Sequence, residues 1–194
     1  MEEVMLYSPG LRFTGVTLFL ALVLMPFQLL ADSSLKQCRI GDRYLFGHHE
    51  NVTRIDHQFD TQLTALIDSG STTSSMDARD ITIKPMPNGV LWVRFKILTE
   101  RGKNGREITL LKPIKRYILV QTHAGKPQKR PVIEATIELG NVKTTTEFSL
   151  TSRSRFPQSI LLGRNTLDSL AVIDTSQKYL LNGCQPDGDI ALRH

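Results

Sequence analysis

The chain has 194 residues, of which 40% are hydrophobic and 22% charged, and a formal net charge of +5. This fits one globular domain, long enough to bury a core without a structural metal or several disulfides. Lys and Arg are scattered among acids rather than gathered in a stripe, which argues against a nucleic-acid partner; the densest run, Lys126–Arg130, reads as a solvated loop.

In chain order, the first feature is an apolar stretch from Phe13 to Leu30, preceded by Arg12 and followed by Ala31-Asp32-Ser33-Ser34. It reads as a secretory signal or an uncleaved membrane anchor over residues 1–31, and places the remainder in the periplasm or outside the cell. Glu2, Glu3 and Leu29 depart from an ideal signal, and Pro26 and Gln28 from an ideal spanning helix. Residues 32–45 read as a lead-in arm, and residues 46–194 as the folded domain. The only two cysteines, Cys38 and Cys184, are expected to bridge in an oxidising compartment, with two unrelated thiols as the alternative.

Beyond the arm, short β-type runs alternate with turn signals. Leu63–Ile67 leads into Asp-Ser-Gly, Val90–Ile97 alternates, and a Gly102…Gly105 turn precedes Ile108–Leu111. Arg116–Val120, Pro131–Ile133, Ala135–Leu139 and the Thr-rich Thr144–Leu150 continue the pattern, with Gly140-Asn141 as a hairpin turn. Ser159–Leu162 ends at Gly163, and Asn165–Leu170 suits one short helix. The fold class is therefore all-β, a compact and mostly antiparallel domain with one short helix.

Two segments carry chemistry. In Ala65–Ser75 an apolar strand stops at Asp68-Ser69-Gly70, which puts a carboxylate at the buried end of a strand. Gly70 lets the chain turn there, and the following Ser71 and Thr72 supply hydroxyls to the loop. The second segment is Leu162-Gly163-Arg164-Asn165 behind Ile160-Leu161. An apolar–Asp–(Ser/Thr)–Gly loop followed by an apolar–apolar–Gly segment resembles the retroviral aspartic peptidases, whose second segment packs beneath the first in a psi-shaped crossing.

From about residue 40 to about residue 181 the chain also resembles one bacterial family, named ATP-dependent zinc proteases and now described as retropepsin-like. The matching features include Gly47, Glu50, Ala65–Ala78, Lys112-Pro113, Arg130-Pro131-Val132, Ile137–Gly140, Glu147–Leu150 and Leu161–Asn165. The resemblance implies a retropepsin-like acid-protease β-barrel in which Asp68 is the catalytic acid/base. Ser69 would stand for the Thr that knits two active-site loops, and Gly70 would shape the loop. Two departures stand out. Ser74-Ser75-Met76-Asp77-Ala78 lacks the His usual in the family, and Thr72 occupies the position of an acid that meets the Arg of Gly-Arg-Asn in retroviral enzymes. Arg164 must therefore find another partner, with Asp77 and Asp174 as candidates.

Peptide hydrolysis without a covalent intermediate needs one carboxylate as base and another as acid, and two carboxylates about 3 Å apart share a proton so as to fill both roles. One such loop is present, so the expectation is a C2 homodimer joining two Asp68 residues. A flap is expected over Tyr117–Val132, with its tip at His123, Ala124 and Gly125; the Gly102–Gly105 turn is the runner-up. No cofactor or metal is expected. His48, His49, Glu50 and His57 cluster in sequence but lack the His-Glu-x-x-His spacing, and no Gly-x-Ser-x-Gly elbow supports serine hydrolysis.

The expected activity is that of an exported aspartic endopeptidase acting on a peptide or protein substrate, touching a membrane only through the N-terminal segment if uncleaved. The alternative is a catalytically silent retropepsin-fold module that binds peptides or scaffolds. Relatives in the family lie beside ligases that add glutamate to proteins, and the exported leader argues against carrying that cytosolic substrate over.

Overall fold

A computed structural model describes residues 38–102, 105–121, 125–182 and 184, so the leader read over residues 1–31 lies outside the described residues. β1 (Arg39–Ile40) and β2 (Arg43–Gly47) open the described chain, so that part of the expected lead-in arm is strand. β3 (His49–Ile55), β4 (Phe59–Ile67) and β5 (Ser74–Asp77) follow, then β6 (Arg79–Pro85), β7 (Leu91–Leu98) and β8 (Glu107–Pro113). β9 (Arg116–Val120), β10 (Gln128–Leu139), β11 (Val142–Thr151), β12 (Ile160–Leu162), α1 (Arg164–Leu167) and β13 (Ala171–Asp174) complete the order.

Six strands close on themselves in the order β11, β5, β12, β4, β3, β10 and back to β11, and β9 hangs from the outer end of β10. Closure removes the open edges of the central sheet. β1, β2 and β13 form one side sheet, and β6, β7 and β8 another. The fold is mainly β with one short helix, a retropepsin-like barrel as the resemblance implied. Among the described residues three strand pairings are parallel: β4 with β12, β5 with β11 and β2 with β13. Parallel strands need long connections, which hairpin spacing in a sequence does not reveal.

Alternation along the strands fills the barrel. Val52, Ile55, Leu63, Ala65, Ile137 and Phe148 point inward and are buried. The two pieces predicted at Pro131–Ile133 and Ala135–Leu139 are one continuous strand, β10, whose turn onto β11 is the expected Gly140-Asn141. Gly140 has φ +56°, and a Cβ there would lie 2.3 Å from the Leu181 carbonyl oxygen. Only glycine meets both demands.

Leu181 belongs to a C-terminal segment clasped to the barrel. Glu50 is fully buried, and its carboxylate accepts the backbone N–H groups of Gly47 at 2.7 Å, Leu180 at 3.0 Å and Leu181 at 3.2 Å. Such bonds are charge-assisted and make burial of the carboxylate tolerable. Cys38 and Cys184 form a disulfide that spans 146 residues of sequence and closes the clasp. Replacing both cysteines with serine is expected to lower stability by about 4 kcal/mol, seen as a lower urea midpoint; an unchanged midpoint would show that Glu50 alone secures the segment.

Candidate active site

β4 runs Ala65-Leu66-Ile67 between β3 on one side and β12 on the other, then ends at Asp68. The Asp68 amide donates to the Leu162 carbonyl at 2.9 Å, which fixes where the strand stops. Gly70 N and Ser71 N donate to Asp68 Oδ1 at 2.9 and 3.2 Å, and Ser71 Oγ donates to Oδ2 at 2.7 Å. The loop thus orients both carboxylate oxygens while Asp68 stays half-buried and Ser69, Gly70 and Thr72 stay exposed. A carboxylate held this way retains free lone pairs toward solvent.

The second segment lies beneath this loop, as its motif implied. A Cβ at Gly163 would meet the Ser71 and Thr73 carbonyl oxygens at 2.8 Å each, so the crossing excludes any side chain. Arg164 N donates to Ser71 O at 2.9 Å and Asn165 N to Thr72 O at 3.1 Å. Asn165 Oδ1 accepts both Ser74 N and Ser74 Oγ at 2.8 Å, and Gly163 N donates to Ser74 Oγ at 3.0 Å. Because Ser74 gives its single hydroxyl proton to Asn165, Thr166 must donate to Ser74 across 2.7 Å, and Thr146 to Thr166 across 2.9 Å. The result is a directed chain of buried hydroxyls under the aspartate.

Arg164 corrects one expectation. Its partner is neither Asp77 nor Asp174; Nη1 donates to the Ser69 and Gly70 carbonyls at 3.0 and 3.1 Å, and Nη2 to Thr72 Oγ1 at 3.0 Å. With a threonine in place of the acid, the guanidinium ties the loop through neutral oxygens. Asp174 instead accepts from Ser176, whose hydroxyl and amide hold its carboxyl below the usual range. Asp77 accepts the Arg153 amide at 2.5 Å and lies 3.9 Å from Arg101 Nη2.

A cleft of about 510 Å³ opens beside the loop. Ser71, Thr73 and Leu161 line it together with Val120 and Arg130 of the β9–β10 hairpin and Arg153. The hairpin chosen as the flap therefore does border the cleft. Of its expected tip, Gly125 has φ +88°, while His123 and Ala124 lie outside the described residues. Gly102 and Gly105 of the rival turn line no part of the cleft; Gly105 packs against the Glu100 carbonyl instead.

Two arginines in this cleft were not legible as site residues. Arg130, read as part of a solvated loop, is half-buried in β10, and burial lowers its pKa. Arg153 is 5% exposed and stacks 4.9 Å over Phe156. Its Nε donates to Gln158 O at 3.1 Å and Nη1 to Ser75 Oγ at 2.9 Å, but Nη2 has no hydrogen-bond partner among the described residues. Burial lowers the Arg153 pKa, with Asp77 opposing. Arg153 lines the cleft as a residue, while its Nη2 is itself buried from solvent.

The residues weighed for zinc have other engagements. Glu50 is spent on backbone amides, and His57 Nδ1 lies 3.1 Å from Glu138 Oε1. His49 Nε2 lies 2.7 Å from Gln158 Nε2, and its ring meets that of His48 edge-on at 4.5 Å. Among the described residues no group of three His, Cys, Asp or Glu is placed to hold a metal.

Next to the site, the His48 carbonyl accepts the Ile67 amide at 3.0 Å. Burial lowers the His49 pKa below 6.5, and His48 and Lys178 add to the effect. A base whose pKa is depressed on folding stabilises the fold above its unfolded pKa, and that stability is lost as pH falls. The unfolding temperature should therefore drop as pH is lowered from about 6.5, and the drop should be shallower in His49→Gln. An equal slope in both proteins would remove His49 as the cause.

Compared with known proteins, residues 45–182 match the RimB-like family, described as "Retropepsin-like aspartic endopeptidase RimB". Two proteins named "Probable alpha-L-glutamate ligase" are also similar. The one from Shewanella halifaxensis is 33% identical over 66% of this chain, and the one from Shewanella pealeana 32% identical over 61%. The chain spans only 28% and 26% of those proteins, about a quarter of their length. A solved structure of a Legionella pneumophila protein of unknown function superposes with a TM-score of 0.59 at 25% identity, covering 71% of this chain and 98% of that one. With the Asp68 loop seated on the Gly163 crossing and the family matched across the barrel, this chain belongs to the RimB-like, retropepsin-like aspartic endopeptidase family.

Proposed function

We propose that this chain is an exported aspartic endopeptidase that works as a homodimer and cuts peptides bearing acidic side chains. The observation that carries the reading is Asp68: its own loop orients it, Ser71, Thr72 and Thr73 of that loop line a cleft, and only one Asp-(Ser/Thr)-Gly occurs in the sequence. A second Asp68 across a two-fold axis supplies the missing carboxylate. The exposed Ser69 and Gly70 suit contact between the two loops.

In the pair, one Asp68 is ionised and the other protonated. The ionised carboxylate removes a proton from water as the water oxygen bonds to the scissile carbonyl carbon, and the protonated carboxyl gives its proton to the carbonyl oxygen. The diol then collapses: the carboxyl that took the proton from water gives it to the amide nitrogen, the C–N bond breaks, one diol hydroxyl gives its proton to the other carboxylate, and the pair again holds one proton. Activity therefore needs a pH at which the pair holds a single proton.

Substrate class is read from Arg130 and Arg153, two basic residues that line the cleft. The names of the Shewanella relatives point to glutamate chemistry, and a glutamate side chain in the cleft would answer the positive charge of Arg130 and Arg153. Because those proteins are about four times longer than the matched segment, ligase activity is not carried over. Export is supported by the apolar Phe13–Leu30 stretch and by the Cys38–Cys184 bridge, which persists in oxidising compartments.

The test is cleavage of matched Glu- and Gln-containing peptides by residues 32–194, with Asp68→Asn alongside, from acid to neutral pH. The wild type should cut the Glu series faster by about tenfold, and Asp68→Asn should lose about 10³-fold or more while keeping its fold. Two folded proteins that both bind but never cut would establish the peptide-binding module instead.

A further inference from the structure

β6 is the outer strand of its side sheet, pairing with β7 alone, and all seven of its residues are exposed. An open strand edge presents unpaired N–H and C=O groups, which an extended peptide can satisfy by adding a strand. A bulge interrupts the pairing between Arg79 and Thr82, and Asp80 there has φ +50°. Pro85 lacks an N–H, so the usable edge is Ile81–Lys84.

The apolar side chains on this strand face an unexpected direction for surface residues. Ile83 stands opposite the fully buried Val93, on the face that β7 turns to the core. Yet Ile81 and Ile83 are 37% and 40% exposed. They line a second hollow of about 510 Å³ together with Lys129, Arg130 and Pro131 of β10 and Leu150. Arg130 lines both this hollow and the cleft beside the Asp68 loop, so the two adjoin at that residue.

We infer that this hollow is a remote subsite for the same peptide substrate. It takes a flanking segment in extended conformation, which pairs with the β6 edge and seats apolar side chains on Ile81 and Ile83. Successive side chains of an extended segment point to opposite faces, so the segment recognised carries an apolar residue at every second position. Continuity through Arg130 selects the substrate over an unrelated partner. The basic rim of Lys129 and Arg130 also matches acidic residues in the intervening stretch. The inference rests on the peptidase reading and adds to it a preference far from the reacting bond.

Two peptides sharing one scissile bond test it with the full chain. One is short; the other is extended by about six residues of alternating valine and serine, at either end in turn. The extension at one end should lower KM by about tenfold with kcat unchanged, and Ile83→Arg should abolish that gain while short-peptide cleavage persists. No gain from either extension, or an equal loss on both peptides in Ile83→Arg, overturns the subsite. A binding arm is independent of turnover: labelled extended peptide should bind Asp68→Asn about tenfold tighter than the short one, and Ile83→Arg should erase the difference. If the wild type cuts nothing but this binding difference stands, the peptidase reading fails and the groove survives.

Discussion

The hydrogen bond from the Asp68 amide to the Leu162 carbonyl, 2.9 Å long, joins the two halves of the motif, and the site depends on it. It is the last rung of the parallel β4–β12 pairing, in which Ile67 stands beside Leu162. One residue later Gly163 passes beneath the loop with no room for a side chain, and Ser74, Asn165, Thr166 and Thr146 fill the space with directed hydroxyl and amide bonds. Each of these groups is satisfied only if the others are in place. A network of that kind rigidifies the aspartate more than any single contact would. It also explains why buried Ser74 and Thr166 are tolerated in a barrel otherwise packed with Ile, Leu and Phe.

Electrostatics divide the cations into two kinds. Arg164 is structural, because its guanidinium reaches carbonyls and a hydroxyl of the loop it braces. Arg153 is held by Ser75, Gln158 and Phe156 but keeps one nitrogen unmatched. Burying a guanidinium with a donor to spare is costly unless something meets it, and Asp77 is engaged with the Arg153 amide and neighbouring Arg101.

What was legible in the sequence was local or chemically constrained. Asp68-Ser69-Gly70 and Leu162-Gly163-Arg164-Asn165 announce themselves because each position has a reason independent of the rest of the chain: a turn, a close approach, a strand end. The Gly140-Asn141 hairpin and the short helix were legible for the same reason. Parallel pairings were not, since hydrophobic alternation says nothing about strand direction. Arg153 was missed because its burial comes from Ser75, 78 residues away, and from a loop without periodicity. Arg164 was assigned acids as partners on charge alone, whereas loop carbonyls lay nearer.

The central claim is that two Asp68 carboxylates, one from each copy, make one active site. It is tested most directly by mixing wild type with Asp68→Asn at constant total concentration, allowing exchange, and measuring the cleavage rate against wild-type fraction. If one carboxylate from each copy is required, only wild-type pairs cut, and an equal mixture retains about one quarter of the full rate. A linear fall, with about one half of the rate left in the equal mixture, would mean that each chain acts alone and would contradict the account.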